Sequence, residues 1–157
     1  MESANANLIL PGLWLGNRKA AADTEFLTKN NITTVFNCTK DLPFNSAVRR
    51  QYRVPVDDNL EAIEISNMER WAPEIVYKLT AEYKAGNQIL VHCHAGMQRS
   101  AAVVAMMMIA VFRKSADDVM TYIRERRQIA FFPVANFDKA IRGFEARFVG
   151  ASKTNTP

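Results

Sequence analysis

The sequence predicts an α/β fold, a mixed and largely parallel central sheet of about five strands flanked by helices. Three observations carry this expectation. Short β-branched or apolar runs recur at Ile32–Cys38, Tyr52–Val56 and Ile89–Val91, separated by stretches with helical spacing. Two apolar triplets, Leu8–Leu10 and Leu13–Leu15, flank Pro11-Gly12 as strands flank a turn. The apolar run Ile89–Val91 gives way, across a short polar loop, to an apolar helical run from Ala101 to Phe112. A loop between a strand's carboxyl end and a helix's amino end is where α/β proteins bind anions.

Each element follows from local chemistry. Asp23 or Thr24 can cap a short helix through Phe26 and Leu27 that ends near Asn30-Asn31. Pro55 marks the Tyr52–Val56 strand as an edge or exit strand. Ser66 and Glu69 have the spacing of a capping box, and Met68, Trp71, Ile75, Leu79 and Tyr83 keep one helical face. Pro73 predicts a kink at Ala72-Pro73, with the main helix continuing to Gly86. Met106, Met107 and Met108 fall within the apolar helix and are read as core filler. Ser115 with Asp118 opens an amphipathic helix to about Gln128, and Pro133 suits a helix start before Phe137, Ile141, Phe144 and Phe148. Gly143 weakens that last helix by about 1 kcal/mol relative to alanine. Residues 1–150 are expected to form a single domain and 151–157 a disordered tail.

At 157 residues the chain can bury roughly 70% of its unfolded surface around one core. Its 48% hydrophobic and 23% charged residues exclude wholesale disorder. A net charge of +4 favours anionic partners without choosing among phosphoproteins, phosphoinositides and RNA. The basic clusters Arg49-Arg50 and Arg124, Arg126, Arg127 are read as solvated faces. No apolar run approaches the roughly 20 residues of a membrane span, and the amino terminus lacks the form of a secretion signal. With two cysteines, an intracellular location, cytoplasmic or nuclear, is expected.

The polar loop carries the chemistry. Arg99 always bears a charge and offers a planar fork of donors, and a run of loop amides centred on Gly96 makes a concave nest for an anion. The same positive surroundings favour the thiolate of Cys93 over the thiol. A phosphate held by Arg99 over that sulfur is set up for in-line attack, giving a phosphocysteine without any metal. The leaving oxygen must be protonated, and Asp57 and Asp58, at the end of the Tyr52 strand, can reach the same rim. His92 and His94 share a face of the strand but Cys93 points away and no third ligand follows, so no metal or cofactor is expected. His92 is read as turned inward to orient the loop and His94 as a rim residue.

The pattern His-Cys-x-x-Gly-x-x-Arg-Ser, filled by His92, Cys93, Gly96, Arg99 and Ser100, resembles the signature of the cysteine-dependent protein tyrosine phosphatases. The chain's length and the phrase Leu13-Trp14-Leu15-Gly16-Asn17 resemble the compact dual-specificity branch, and the likeness covers most of residues 8–148. It implies a tyrosine-phosphatase-like fold and phosphorylated proteins as substrates, phosphotyrosine and also phosphoserine or phosphothreonine. It implies Cys93 as nucleophile, Arg99 with His94, Ala95, Gly96, Met97 and Gln98 as the phosphate cradle, Ser100 as the donor to the departing sulfur, and Asp58 rather than Asp57 as general acid. Asn136 matches a family asparagine that fixes the loop, and helix capping is an equal alternative. Cys38 defaults to a buried strand residue, but its place at the same rim, where some lipid-phosphatase relatives keep a resolving cysteine, makes it a candidate redox partner of Cys93. The rivals are an RNA 5′-triphosphatase, a phosphoinositide phosphatase, disfavoured by the absence of lysine inside the loop, and a non-catalytic phospho-binding module, disfavoured by the presence of both Cys93 and Arg99.

Overall fold

The computed structural model describes residues 3–154. Five strands, β1 (Ala6–Leu10), β2 (Leu13–Gly16), β3 (Ile32–Asn37), β4 (Arg50–Arg53) and β5 (Gln88–His92), form one sheet in the order β1-β2-β5-β3-β4. The β2, β5, β3 and β4 strands run parallel, and β1 pairs antiparallel with β2. The expected mixed sheet is therefore present, with β5 at its centre.

A central strand buried on both faces must be apolar throughout, and alternate side chains of β5 serve two cores. Ile89 and Val91 join the larger core with Leu13, Leu15 and Phe36, while Leu90 joins a smaller one with Ala20, Leu27, Ile32 and Val35. The smaller core is covered by α1 (Arg18–Ala22) and α2 (Thr24–Lys29), whose caps are Asn17 and Asp23. The larger is covered by α3 (Ala62–Lys84), α4 (Arg99–Phe112), α5 (Ala116–Arg126) and α6 (Asp138–Thr154). Every residue of α4 from Arg99 to Ile109 is buried, Met106, Met107 and Met108 included, and Arg113 ends the helix in the left-handed conformation.

Four expectations about elements are corrected. First, α3 is one helix from Ala62 with Pro73 inside it, and Glu61, not Ser66, stands at its amino end. Burial of Met68, Ala72, Ile75, Val76 and Leu79 offsets the hydrogen bond that Pro73 forgoes, and Glu69 pairs with Arg147 instead of closing a capping box. Second, the edge strand β4 lies at Arg50–Arg53, with Val54 and Val56 buried beyond its end. Third, α6 starts at Asp138, because the backbone between Pro133 and Asn136 is engaged by the side chain of Gln98. Fourth, α6 continues to Thr154, into the segment expected as a tail; residues 155–157 lie outside the described residues.

Gly143 lies where α6 faces the side chain of Glu69. A β-carbon there would sit 2.6 Å from the Glu69 carboxylate, the far end of a flexible side chain that would have to swing aside. Arg50 is exposed as expected, and it also pairs inward: its Nε and Nη2 fork onto the buried Glu82 at 2.7–2.9 Å and clasp β4 to α3. Among the described residues no helix is long and apolar enough to cross a membrane.

Candidate active site

The loop from β5 to α4 is shaped by what its carbonyls do. Six consecutive carbonyls accept hydrogen bonds: Cys93 from His92 Nδ1 (3.2 Å), His94 from the Arg18 amide (3.0 Å), Ala95 from Arg127 Nη2 (3.2 Å), Gly96 from Arg127 Nε (2.8 Å), Met97 from the Phe131 amide (2.7 Å) and Gln98 from the Ala102 amide (2.9 Å). With the carbonyls held by the surrounding protein, the amides of Gly96 and Ser100 turn to the sulfur of Cys93. Gly96 has φ +68°, and a β-carbon on it would sit 2.5 Å from the Gly16 carbonyl oxygen and 2.8 Å from Arg127 Nη2. Only glycine fits there.

Burial pushes the Cys93 thiol up, but the Ser100 hydroxyl at 3.1 Å, the Ser100 and Gly96 amides and the Arg99 charge outweigh it, so the pKa falls below that of a free cysteine. Cys38 shows the opposite case. It is fully buried, its amide donates to the His92 carbonyl (2.8 Å), and burial followed by the nearby Cys93 charge pushes its thiol well up. Both cysteines are free.

Arg99 is 7% exposed; its Nη1 donates to the Val56 carbonyl (3.0 Å), and its buried Nε has no hydrogen-bond partner among the described residues. The bond to Val56 ties the loop to the segment carrying the two acids. Asp57 pairs with Lys40 (3.2 Å), whose Nζ also meets the buried Glu64 (2.8 Å), whereas Asp58 Oδ1 accepts from Asn136 Nδ2 (2.9 Å). Asn136 therefore reaches toward Asp58 and does not cap α6, and its amide donates to Gln98 Oε1 (2.9 Å). Gln98 Nε2 completes the brace by donating to the carbonyls of Phe132 and Val134. At the rim His94 Nε2 bonds Asp41 Oδ1 (3.1 Å). Among the described residues no group of three His, Cys, Asp or Glu side chains is placed to hold a metal ion.

The sequence reading missed Arg127, expected as part of a solvated cluster. It is 1% exposed, and besides Ala95 and Gly96 it binds the Ala4 carbonyl and Asn7 Oδ1 through Nη1, both at 2.8 Å, joining the loop to the first strand. Helical spacing carries the signal that finds it. Val119 and Ile123 lie on the buried face of α5, and Arg127, the residue that caps the helix with its amide on the Ile123 carbonyl, continues the four-residue spacing, while Arg126 lies over the Tyr122 ring at 3.4 Å.

Burial pushes the His92 imidazole down from 6.5 to about 4, the charges of Arg53, His94 and Arg99 act in the same direction, and the bond to the Cys93 carbonyl opposes them. The folded value lies below the unfolded one, so the unfolded chain takes up the proton first as pH falls. The contribution of neutral His92, about 3 kcal/mol, is present above pH 6.5 and is lost as pH falls toward 4. Urea unfolding from pH 7 to 4 should show a steeper loss of stability in the wild type than in His92→Gln; parallel profiles would assign the acid sensitivity to another group.

The family model described as the catalytic domain of dual specificity phosphatases matches residues 13–147. Human dual specificity protein phosphatase 4 is 29% identical over 145 residues, covering 92% of this chain and 36% of that protein. Mouse dual specificity protein phosphatase 2 is 31% identical over 122 residues, covering 77% and 37%. The chain thus spans little more than a third of the length of these curated relatives. Among solved structures, human DUSP28 aligns with a TM-score of 0.82 over 94% of this chain and 97% of that one, at 22% identity, a likeness of fold. The human tyrosine phosphatase-like serine/threonine/tyrosine-interacting protein aligns with a TM-score of 0.79 over 92% and 97%, at 28% identity. With the strand, loop and helix of the signature in place, the chain belongs to the dual specificity phosphatase catalytic-domain family.

Proposed function

We propose that the protein is a metal-independent phosphomonoester hydrolase acting on phosphotyrosine and on phosphoserine or phosphothreonine in proteins. The observation that carries this reading is the ring of bonded carbonyls from Cys93 to Gln98, which leaves the loop amides and the Arg99 fork to a dianion in front of a stabilised thiolate. The unpartnered Nε of Arg99 is a donor that a phosphate oxygen would satisfy.

In the first step the Cys93 thiolate attacks phosphorus, a P–S bond forms, the bond to the leaving oxygen breaks, and Asp58 gives that oxygen its proton. In the second, Asp58 as carboxylate takes a proton from water that attacks the phosphocysteine, and the Ser100 hydroxyl, 3.1 Å from the sulfur, donates to the departing thiolate. Asp58 is oriented by the neutral side-chain amide of Asn136, whereas Asp57 is drawn into an ion pair with Lys40. No observation favours the RNA or phosphoinositide alternatives, since Arg50 and Arg127 are committed to internal partners. The free thiols suit a reducing intracellular compartment, cytoplasmic or nuclear.

The reading is tested with phosphotyrosine, phosphothreonine, phosphoinositide and 5′-triphosphate RNA substrates in EDTA, where the phosphopeptides should be the ones turned over. Asp58→Ala should slow peptides with poor leaving groups by about 10²-fold and flatten the basic limb of the pH profile, with activated aryl phosphates less affected. A large effect from Asp57→Ala instead would move the role to Asp57. Cys38 is read as a reserve partner that traps oxidised Cys93 as a disulfide. Peroxide followed by dithiothreitol should then restore activity in the wild type and much less in Cys38→Ser; equal recovery, with no Cys38–Cys93 peptide found, would leave Cys38 a core residue.

A further inference from the structure

Beside the catalytic loop, on the α1 face of the sheet, lies a cleft of about 440 Å³ with Leu42, Pro43 and Phe44 on one side, Arg18 and Lys19 on the other, and His92 toward the loop. Its apolar wall is fixed in place although it belongs to no helix or strand. Arg53 donates to the carbonyls of Thr39 (2.9 Å) and Leu42 (2.7 Å) and sets its guanidinium 4.9 Å from the centre of the Phe44 ring. Asn37 Nδ2 also donates to the Leu42 carbonyl (2.9 Å), and Asn45 Nδ2 to Thr24 Oγ1 (3.0 Å). A wall held this way loses little entropy when a ligand arrives.

The opposite wall carries charge that no acidic side chain pairs with among the described residues. Arg18 and Lys19 are exposed, and neither side chain has a hydrogen bond or ion pair among the described residues, in contrast to Arg50, Arg53, Arg127 and Arg142. The cleft is continuous with the catalytic loop. The Arg18 amide donates to the His94 carbonyl, His94 bonds Asp41 one residue before Leu42, and His92 meets both the cleft and the Cys93 carbonyl. An apolar wall facing two free cations, beside a site for a phosphoryl group, matches a segment of chain carrying one apolar and at least one acidic side chain.

We propose that this cleft is a substrate subsite that receives the residues flanking the phosphorylated residue and selects those bearing carboxylates. The inference rests on the phosphatase reading above and names the substrate class for that same site. Arg18 and Lys19 act on binding and selection only; the chemistry stays with the loop.

The test compares kcat/KM for p-nitrophenyl phosphate and for two sets of phosphotyrosine peptides, with acidic or lysine residues placed before or after the phosphotyrosine, in the wild type and in Arg18→Glu/Lys19→Glu. Both positions are exposed, and acidic residues in the first turn of α1 are compatible with the helix. The wild type should prefer acidic peptides by roughly tenfold or more, and the double variant should reverse the order. The preference should shrink as salt rises. If the wild type turns over p-nitrophenyl phosphate but treats acidic and basic peptides alike, or if the charge reversal leaves their ratio unchanged, the subsite is refuted while the phosphatase reading stands. Absence of turnover on every substrate refutes the phosphatase reading itself. Discrimination absent on peptides, with Arg18- and Lys19-dependent sedimentation on phosphatidylserine vesicles, would assign the cations to a lipid surface and overturn the proposal.

Discussion

Cys93→Ser should lose roughly 10⁴-fold or more of the turnover of aryl phosphates and phosphopeptides while still binding a phosphate analogue such as tungstate or vanadate. The hydroxyl of serine is not ionised by surroundings that suffice to ionise a thiol, yet Arg99 and the amides of Gly96 and Ser100 are untouched by the change. Arg99→Lys should fail in the other way, losing analogue binding as well as rate, because an ammonium cannot span two phosphate oxygens and also reach the Val56 carbonyl. Isothermal titration beside steady-state kinetics separates the two. Appreciable turnover by Cys93→Ser would remove the sulfur from the mechanism.

Arg127→Met should be the most damaging change away from the reacting atoms. It strips the donors from the carbonyls of Ala4, Ala95 and Gly96 and from Asn7 Oδ1, in a place almost closed to water. Unpaired buried acceptors cost about 1–3 kcal/mol each and do not add fully, so a destabilisation of about 3 kcal/mol is expected in urea unfolding. The loss should also reach catalysis, since Ala95 and Gly96 would be free to rotate their amides away from the phosphate. A fall in kcat/KM of about 10²-fold follows for one misplaced electrostatic cradle. The Cys93 and Arg127 charges favour one another, so alkylation of Cys93 by iodoacetamide should shift to higher pH in the variant. Arg127→Lys keeps the charge but not the fork, and should recover part of the alkylation shift and little of the stability. A variant that unfolds more easily but retains wild-type kcat/KM and alkylation would limit Arg127 to a structural role.

The parts of this site that are local in sequence were legible there. Ile89 to Val91, the polar loop and the apolar start of α4 are contiguous, so strand, nest and helix could be read together with Cys93, Gly96, Arg99 and Ser100. The residues alone narrowed the general acid to Asp57 or Asp58 and only the family resemblance favoured Asp58, because what distinguishes the two lies in their partners, Asn136 for Asp58, 78 residues on, and Lys40 for Asp57. Where a proline was misread, a tertiary contact overrides a local preference. Pro73 is carried inside α3 by the apolar face it buries, and Pro133 cannot start a helix because Gln98 occupies the carbonyls of Phe132 and Val134. Arg127 was hidden among neighbouring arginines that are exposed, and only its four-residue spacing from Val119 and Ile123, at the cap of α5, distinguishes it.

The most direct test of the mechanism is to trap the intermediate. Wild-type protein mixed with a phosphotyrosine peptide in EDTA, quenched within a turnover and digested, should yield one phosphorylated peptide, with the phosphoryl group on the sulfur of Cys93. Cys93→Ser treated in the same way should yield none. A phosphoryl group on any other residue, or turnover that requires an added divalent ion and leaves Cys93 unmodified throughout, would contradict the account.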